Sequence, residues 1–300
     1  MYHNPVLLQE TIELLAIKPE GTYVDVTFGG GGHSKAILDK LTTGRLLAFD
    51  QDKDALSNTI HDPRFQLINQ NFKFLTNFLK FYKAFPVDGI LADLGISSFQ
   101  IDNPSRGFST RFEGDLDLRM DQNSGVSARH VINNYNGDDL KRMFKLYGEF
   151  DNAYHIAQRL VNARVDAEIS TTSELKEVLN PLAEKGRENK FFARIFQALR
   201  IEVNNEMEVL KELLAQSNNA IKPGGRLVVI SYHSLEDRLV KNHMRSGNFE
   251  GEIEKDFYGN IVAPFKPLTR KPITAGNEEL EENPRSRSAK LRAAERTNHG

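Results

Sequence analysis

Residues 24–34 read VDVTFGGGGHS. The β-branched and aromatic stretch 22–28 (TYVDVTF) predicts a strand, Gly29 to Gly32 a tight turn, and 32–41, with Ile37, Leu38 and Leu41 apolar, a helix. Glycine admits positive φ and lets a ligand come close to main-chain N–H groups. A second strand, 45–49 (RLLAF), closes on Asp50, 21 residues after Gly29. An acid at that spacing accepts hydrogen bonds from ribose hydroxyls. Together these features point to a nucleoside ligand. An ordinary β–α turn uses the same residue types, and only the strand–turn–helix context with its acid separates the two.

Outward from the turn, the alternation continues. Residues 54–60 predict a short helix, 65–68 a third strand, 74–85 a helix and 87–94 (VDGILADL) a fourth strand holding Asp93 near its end. Such alternation predicts an α/β fold, a parallel sheet with helices on both faces. Ligands then sit beyond the carboxyl ends of the strands. The pattern stops at a loop-like stretch, 103–120, and 126–215 reads as helices with polar connections. Strand and helix signals return at 225–231 (GRLVVIS) and 235–244. The expectation is a discontinuous Rossmann-like domain, 1–102 and 206–300, interrupted at 103–205 by an all-helical substrate-recognition domain.

Composition narrows the chemistry. The 300 residues suit one large or two modest domains, with 39% hydrophobic and 27% charged residues as in an ordinary globular enzyme. There is no cysteine, which removes disulfides, thiolate zinc sites and thiol nucleophiles. No histidine pair has helix-type zinc spacing, so no metal is expected. No apolar run reaches the ~18 residues of a membrane helix. Residues 1–5 lack a signal-peptide pattern, making the cytoplasm the expected location. The net charge is −2, yet 285–296 holds Arg285, Arg287, Lys290, Arg292 and Arg296 against Glu295 alone. That tail reads either as a solvated, disordered segment or as a phosphate-contacting arm.

The dinucleotide fingerprint places a third glycine where this chain has Ser34. Asp25, Asp50 and Asp93 all fall near strand ends. Carboxylates repel a pyrophosphate and attract the sulfonium and ammonium of S-adenosylmethionine, so that cofactor is preferred. Asp93 opens the run DLGISSFQ, whose carboxylate and amide can contact the cofactor or a substrate amine, or simply cap a turn. Phe72, past the third strand, can stack on adenine or sit in the core.

The runs TFGGGGHS, ADLGISSFQ, NPSRGFSTRFEGDLDLRMD, FQALRIEVNNE, GGRLVVISYHSLEDR and NPRSRSAKLRAAER resemble the ribosomal RNA small subunit methyltransferase H family, from His3 to the C-terminal arm. The resemblance implies a Rossmann-like class I methyltransferase with an inserted helical domain. It implies methylation of the N4 amino group of a 16S rRNA cytidine, in the decoding region near the P site of the small ribosomal subunit. Position by position it implies cofactor contacts from Gly31, Gly32, His33, Asp50, Phe72, Asp93 and Gln100. Gly30 departs from a charged residue frequent in the family, and Ile195 from a threonine.

The missing thiol fits this chemistry. Methylation of cytosine C5 ordinarily needs a cysteine, whereas an exocyclic amine attacks a sulfonium methyl directly. The amine lone pair is delocalised, so an acceptor for its hydrogens helps; Asp93 and the carbonyls of Gly95 to Ser97 are the candidates. His233 either relays a proton or positions its loop. Arg106 and Phe108 suit phosphate contact and base stacking. Phe192, Phe196, Leu199 and Val203 form a core stripe, leaving Arg194, Arg200 and Asn204 to face RNA or to pair with surface acids. Methylation of DNA or another RNA, and a non-catalytic assembly factor on the same fold, are the rival readings.

Overall fold

The computed structural model describes residues 5–123 and 125–298. Residues 1–4, including His3, where the resemblance begins, lie outside them. The chain runs through α1 (Leu8–Leu15), β1 (Thr22–Asp25), α2 (Gly32–Leu38), β2 (Arg45–Phe49), β3 (Phe65–Ile68), α3 (Leu75–Phe81) and β4 (Val87–Asp93). Next come α4 (Ser98–Asp102), α5 (Ala128–Asn134), α6 (Gly137–Tyr147), α7 (Ala153–Asp166), α8 (Thr172–Leu179) and α9 (Glu188–Asn204). Last are α10 (Glu206–Ala220), β5 (Ile221–Ser231), α11 (Ser234–Ser246), β6 (Phe265–Pro267), α12 (Asn277–Glu282) and β7 (Lys290–Arg296). The helix expected at 54–60 is a 3₁₀ turn, Lys53–Asn58, started by the Asp52 carboxylate accepting from Asp54 N.

Two compact units result. The first takes the chain up to Gly95 and again from Met207; the second is Ile96–Glu206. The first break therefore falls before α4 rather than after residue 102, because Ile96 packs on the core of the second unit.

The first unit is a seven-stranded sheet in the order β3-β2-β1-β4-β5-β7-β6. The first five of these strands are parallel, and β7 runs antiparallel to both β5 and β6. Successive strand residues point to opposite faces, and the sequence uses this strictly. Leu47, Ile90 and Val229 face one core with Leu79 of α3, Leu213 of α10 and Val240 of α11. Their neighbours Leu46, Leu91 and Val228 face the other, with Leu15 of α1 and Ile37 of α2. A sheet covered on both faces explains the near-continuous apolar strands. Strand order reverses between β1 and β4, which sets a crevice at their carboxyl ends.

The C-terminal segment corrects an expectation. Residues 290–296 are neither a loose tail nor an arm for phosphate but β7, an inner strand of the sheet. Arg292 is buried and grips Asp237 through two hydrogen bonds, 2.7 and 3.2 Å. Arg296 donates to the carbonyls of Asn218, Pro264 and Thr297. A run of cations signals solvent only when no internal acceptors are waiting for it.

The second unit packs helices around Leu140 and Phe144 of α6, Ile156 and Leu160 of α7, Leu175 and Leu179 of α8, and Ile195 and Leu199 of α9. Each pair is spaced by four residues, the repeat that puts both on one helix face. Asn136 caps α6, and Thr171 with Glu174 forms a reciprocal capping box on α8.

Candidate functional site

The glycine turn gathers its backbone around one carboxylate. Gly29 and Gly31 hold positive φ, 51° and 77°. Gly29 N donates to Asp50 Oδ2 at 2.8 Å, and Asp52 N donates to Asp50 Oδ1 at 2.8 Å. Burial pushes the Asp50 carboxyl up to about 6, against the pull of those two backbone donors. Each oxygen keeps a further lone pair for an outside donor.

Asp25, at the end of β1, is buried and holds the start of α2. Ser34 Oγ donates to its Oδ2 at 2.7 Å, and Thr27 N to its Oδ1 at 3.0 Å. Burial raises its carboxyl above the ordinary range. This explains Ser34: the position that packs as glycine in a dinucleotide fold is here a fully buried hydroxyl tying helix to strand.

Asp93 lies across the crevice at the end of β4. Its backbone N donates to Thr27 Oγ1 at 2.6 Å, bridging the loops after β1 and β4. Its carboxylate accepts from Tyr232 Oη at 2.7 Å and faces His33 Nδ1 at 3.7 Å. Burial pushes this carboxyl up to about 6 despite His33 and Tyr232, with Asp25 and Glu236 adding to the rise. His33 Nε2 sits 3.0 Å from the Val6 carbonyl. That oxygen can only accept, so Nε2 carries the hydrogen and Nδ1 is the nitrogen turned toward Asp93.

The glycines differ in what they tolerate. A Cβ on Gly32 would lie 2.3 Å from Pro5 Cγ, whereas one on Gly30 meets nothing within 4 Å. Gly32→Ala is expected to cost about 1–3 kcal/mol by overpacking, read as a fall in Tm. Gly30→Ala is expected to stay within about 0.5 kcal/mol of the parent.

Of the remaining expected cofactor residues, Phe72 begins a 3₁₀ turn after β3 and is half-buried against the sheet core. Gln100 belongs to the second unit, where it is buried and completes the capping box of α4 with Ser97. His233 caps α11: Nδ1 accepts from Glu236 N at 3.4 Å, and Nε2 lies 3.2 Å from Glu236 Oε1. Its ring is engaged with its own helix start, a positioning geometry.

The expected substrate contacts all have partners within the second unit. Arg106 is 1% exposed and donates to the carbonyls of Arg119 and Met120, at 3.0 and 3.1 Å. Phe108 is buried in the core of the second unit. Arg194 donates to the carbonyls of Gly148 and Glu149 and lies 4.1 Å over the Phe150 ring. Arg200 makes a bidentate pair with Glu206, at 2.8 and 3.0 Å. Asn204 accepts from Met120 N and donates to Leu118 O. These side chains fasten loop 103–120 and α9 within their unit. Arg106→Met is accordingly expected to lower the stability of the unit by about 3 kcal/mol, since hydrogen bonds from a charged donor contribute about 1.5–3 kcal/mol each. Calorimetric Tm checks this; an unchanged Tm with weakened RNA binding would restore the phosphate role.

Sequence comparison agrees with the crevice. A model of the MraW methylase family matches residues 1–297. The chain belongs to the MraW methylase family. The ribosomal RNA small subunit methyltransferase H of Flavobacterium johnsoniae is 57% identical over 296 residues, covering 98% of each chain. Its counterpart from Christiangramia forsetii is 56% identical over 294 residues, covering 98% of this chain and 97% of that one. The fold is thus the Rossmann-like class I methyltransferase architecture expected from the sequence, and the cofactor of this MraW-family chain is S-adenosylmethionine.

The residues present fit that cofactor. Asp25, Asp50 and Asp93 cluster at the strand ends with carboxyls raised above their ordinary 3.8. Their partners are backbone amides, hydroxyls and one imidazole. A cationic ligand relieves such a cluster and an anionic one aggravates it.

The site residues that sequence reasoning passed over are Thr27 and Tyr232. Each lies just past a strand end, and that position was the only signal available.

Proposed function

We propose that this chain transfers the methyl group of S-adenosylmethionine to the N4 amino group of a cytidine in 16S rRNA, on the small ribosomal subunit in the cytoplasm. The observation that carries this reading is Asp93, a carboxylate with a raised affinity for protons at the switch point of the sheet. The names of the relatives supply the RNA class, and the absence of cysteine favours the amine over ring carbon C5.

Asp50 would accept from the ribose hydroxyls, Phe72 would cover one face of adenine, and Gly31 and Gly32 would let the cofactor approach the main chain. His33 would line the same pocket, and Gln100 is retained as a cofactor contact on family resemblance. When bound, the cofactor supplies an electrophilic methyl group: the N–C bond forms as the S–C bond breaks, and sulfur keeps the electron pair. Asp93 accepts a hydrogen bond from the amine, localising its lone pair, and takes its proton as the new bond forms. His233 holds the start of α11 and with it the Tyr232 loop.

Incubation with labelled cofactor and purified small subunits, naked 16S rRNA or duplex DNA tests the proposal. Label is expected on N4-methylcytidine from subunits or rRNA. Label on DNA alone, or on C5, would contradict it. No helix among the described residues is long and apolar enough to cross a membrane.

A further inference from the structure

We propose that Tyr232 is a positioning residue for proton transfer: its hydroxyl occupies Oδ1 of Asp93 and reserves Oδ2 as the oxygen that takes the amine proton. This rests on Asp93 being the proton acceptor proposed above.

A phenol has one hydrogen to donate, and Tyr232 directs it to Oδ1 at 2.7 Å. Burial, with the carboxylates of Asp93, Glu236 and Glu279 facing it, holds the phenol's own proton loss well above 10. It therefore stays a donor through the working pH range and never competes as a base. Among the described residues, the titratable groups that act on Asp93 are His33 on α2, Asp25 on β1, Glu236 on α11, and Tyr232 itself. The two acids oppose a charge on Asp93; His33 and Tyr232 favour it.

The geometry divides the two oxygens. Oδ1 is filled at hydrogen-bond distance, while Oδ2 faces His33 Nδ1 at 3.7 Å, beyond such a bond. Oδ1 has already spent one lone pair on the phenol, so Oδ2 is the better acceptor for a proton arriving from the amine. The amine nitrogen loses the proton, Oδ2 gains it, and it returns to water once the product leaves.

The tyrosine is itself held in place. Gly95 has φ 103°, and a Cβ there would lie 3.2 Å from the Tyr232 ring. Glu236 Oε2 accepts from Tyr232 N at 2.8 Å, which fixes the backbone. The glycine after β4 and the cap of α11 thus converge on one ring, and the ring on one oxygen.

Tyr232→Phe keeps the ring and removes the donor. In the cofactor-free full chain, the Asp93 carboxyl followed by ¹³C NMR is expected to titrate about one pH unit higher, because a hydrogen bond favouring the charged form is lost. With cofactor and small subunits, kcat is expected to fall roughly 10-fold while KM for both stays within about twofold. The acid limb of the kcat profile should move upward by the same interval as the carboxyl titration. Tyr232→Leu separates this from packing: it should lower Tm where Tyr232→Phe does not. An unmoved Asp93 titration, or a Tyr232→Phe chain that loses Tm and cofactor binding together, overturns the proposal. A wild type that methylates no amine would fall on the proposed function instead, since the carboxyl titration reads the Tyr232–Asp93 coupling without turnover.

Discussion

Replacing Asp93 with asparagine is expected to lower the rate of methyl transfer roughly 10²- to 10⁴-fold, the range a positioned acid–base group contributes. The substitution is nearly isosteric. The backbone N–H of residue 93 still reaches Thr27 Oγ1, and Tyr232 can still donate to the amide oxygen. What disappears is the capacity to take a proton. Fold and cofactor affinity should therefore survive far better than turnover, and single-turnover kinetics with saturating cofactor separates the two. A carboxylate raised to about 6 is well matched to accepting a proton. It is ionised at neutral pH, yet more basic than an exposed aspartate. If asparagine left the chemical step unchanged, the proton would have to leave by another route, such as the backbone carbonyls after β4.

The second large effect concerns the cofactor. Asp50→Ala is expected to weaken S-adenosylmethionine binding roughly 10- to 100-fold, as hydrogen bonds to a charged group contribute about 1.5–3 kcal/mol. Part of that loss is indirect, because Gly29 N–H gives up its acceptor and the turn loosens. pH should act on the same contacts. Folding raises Asp50 and Asp93 from 3.8 to about 6. Across that window the folded chain binds more protons than the unfolded one. The stability these groups contribute is therefore complete below the unfolded value and is lost as pH rises through about 6. A cationic ligand prefers both carboxylates charged, so its affinity moves the opposite way, tightening as pH rises from about 5 to about 7.5. Calorimetric titration across this range checks the sign; in Asp50→Ala the pH dependence should shrink along with the affinity.

Much of this site could be read from the amino acids because parallel α/β sheets put their chemistry at predictable places. The turn at Gly29 to Gly32, the acid at Asp50 and the acid at Asp93 each sit where a strand ends, and strand ends follow from apolar runs. Ser34 was legible as a departure from a dinucleotide site; that its hydroxyl holds Asp25, nine positions earlier in the chain, was not. Tyr232 was hidden more deeply: its partner is 139 residues away and joins it only through the pairing of β4 with β5. The arginines misled for a related reason. Arg106, Arg292 and Arg296 look like exposed charge in sequence, but each meets carbonyls or a carboxylate supplied by distant or irregular backbone. Local charge counts carry no record of such acceptors.

Mapping 16S rRNA by mass spectrometry from a strain lacking this protein bears on the proposed reaction without intermediaries. One cytidine should lose a single methyl group from N4, regain it with the wild-type chain, and remain bare with Asp93→Asn. An rRNA whose cytidine N4 methylation is unchanged by loss of the protein would contradict the account.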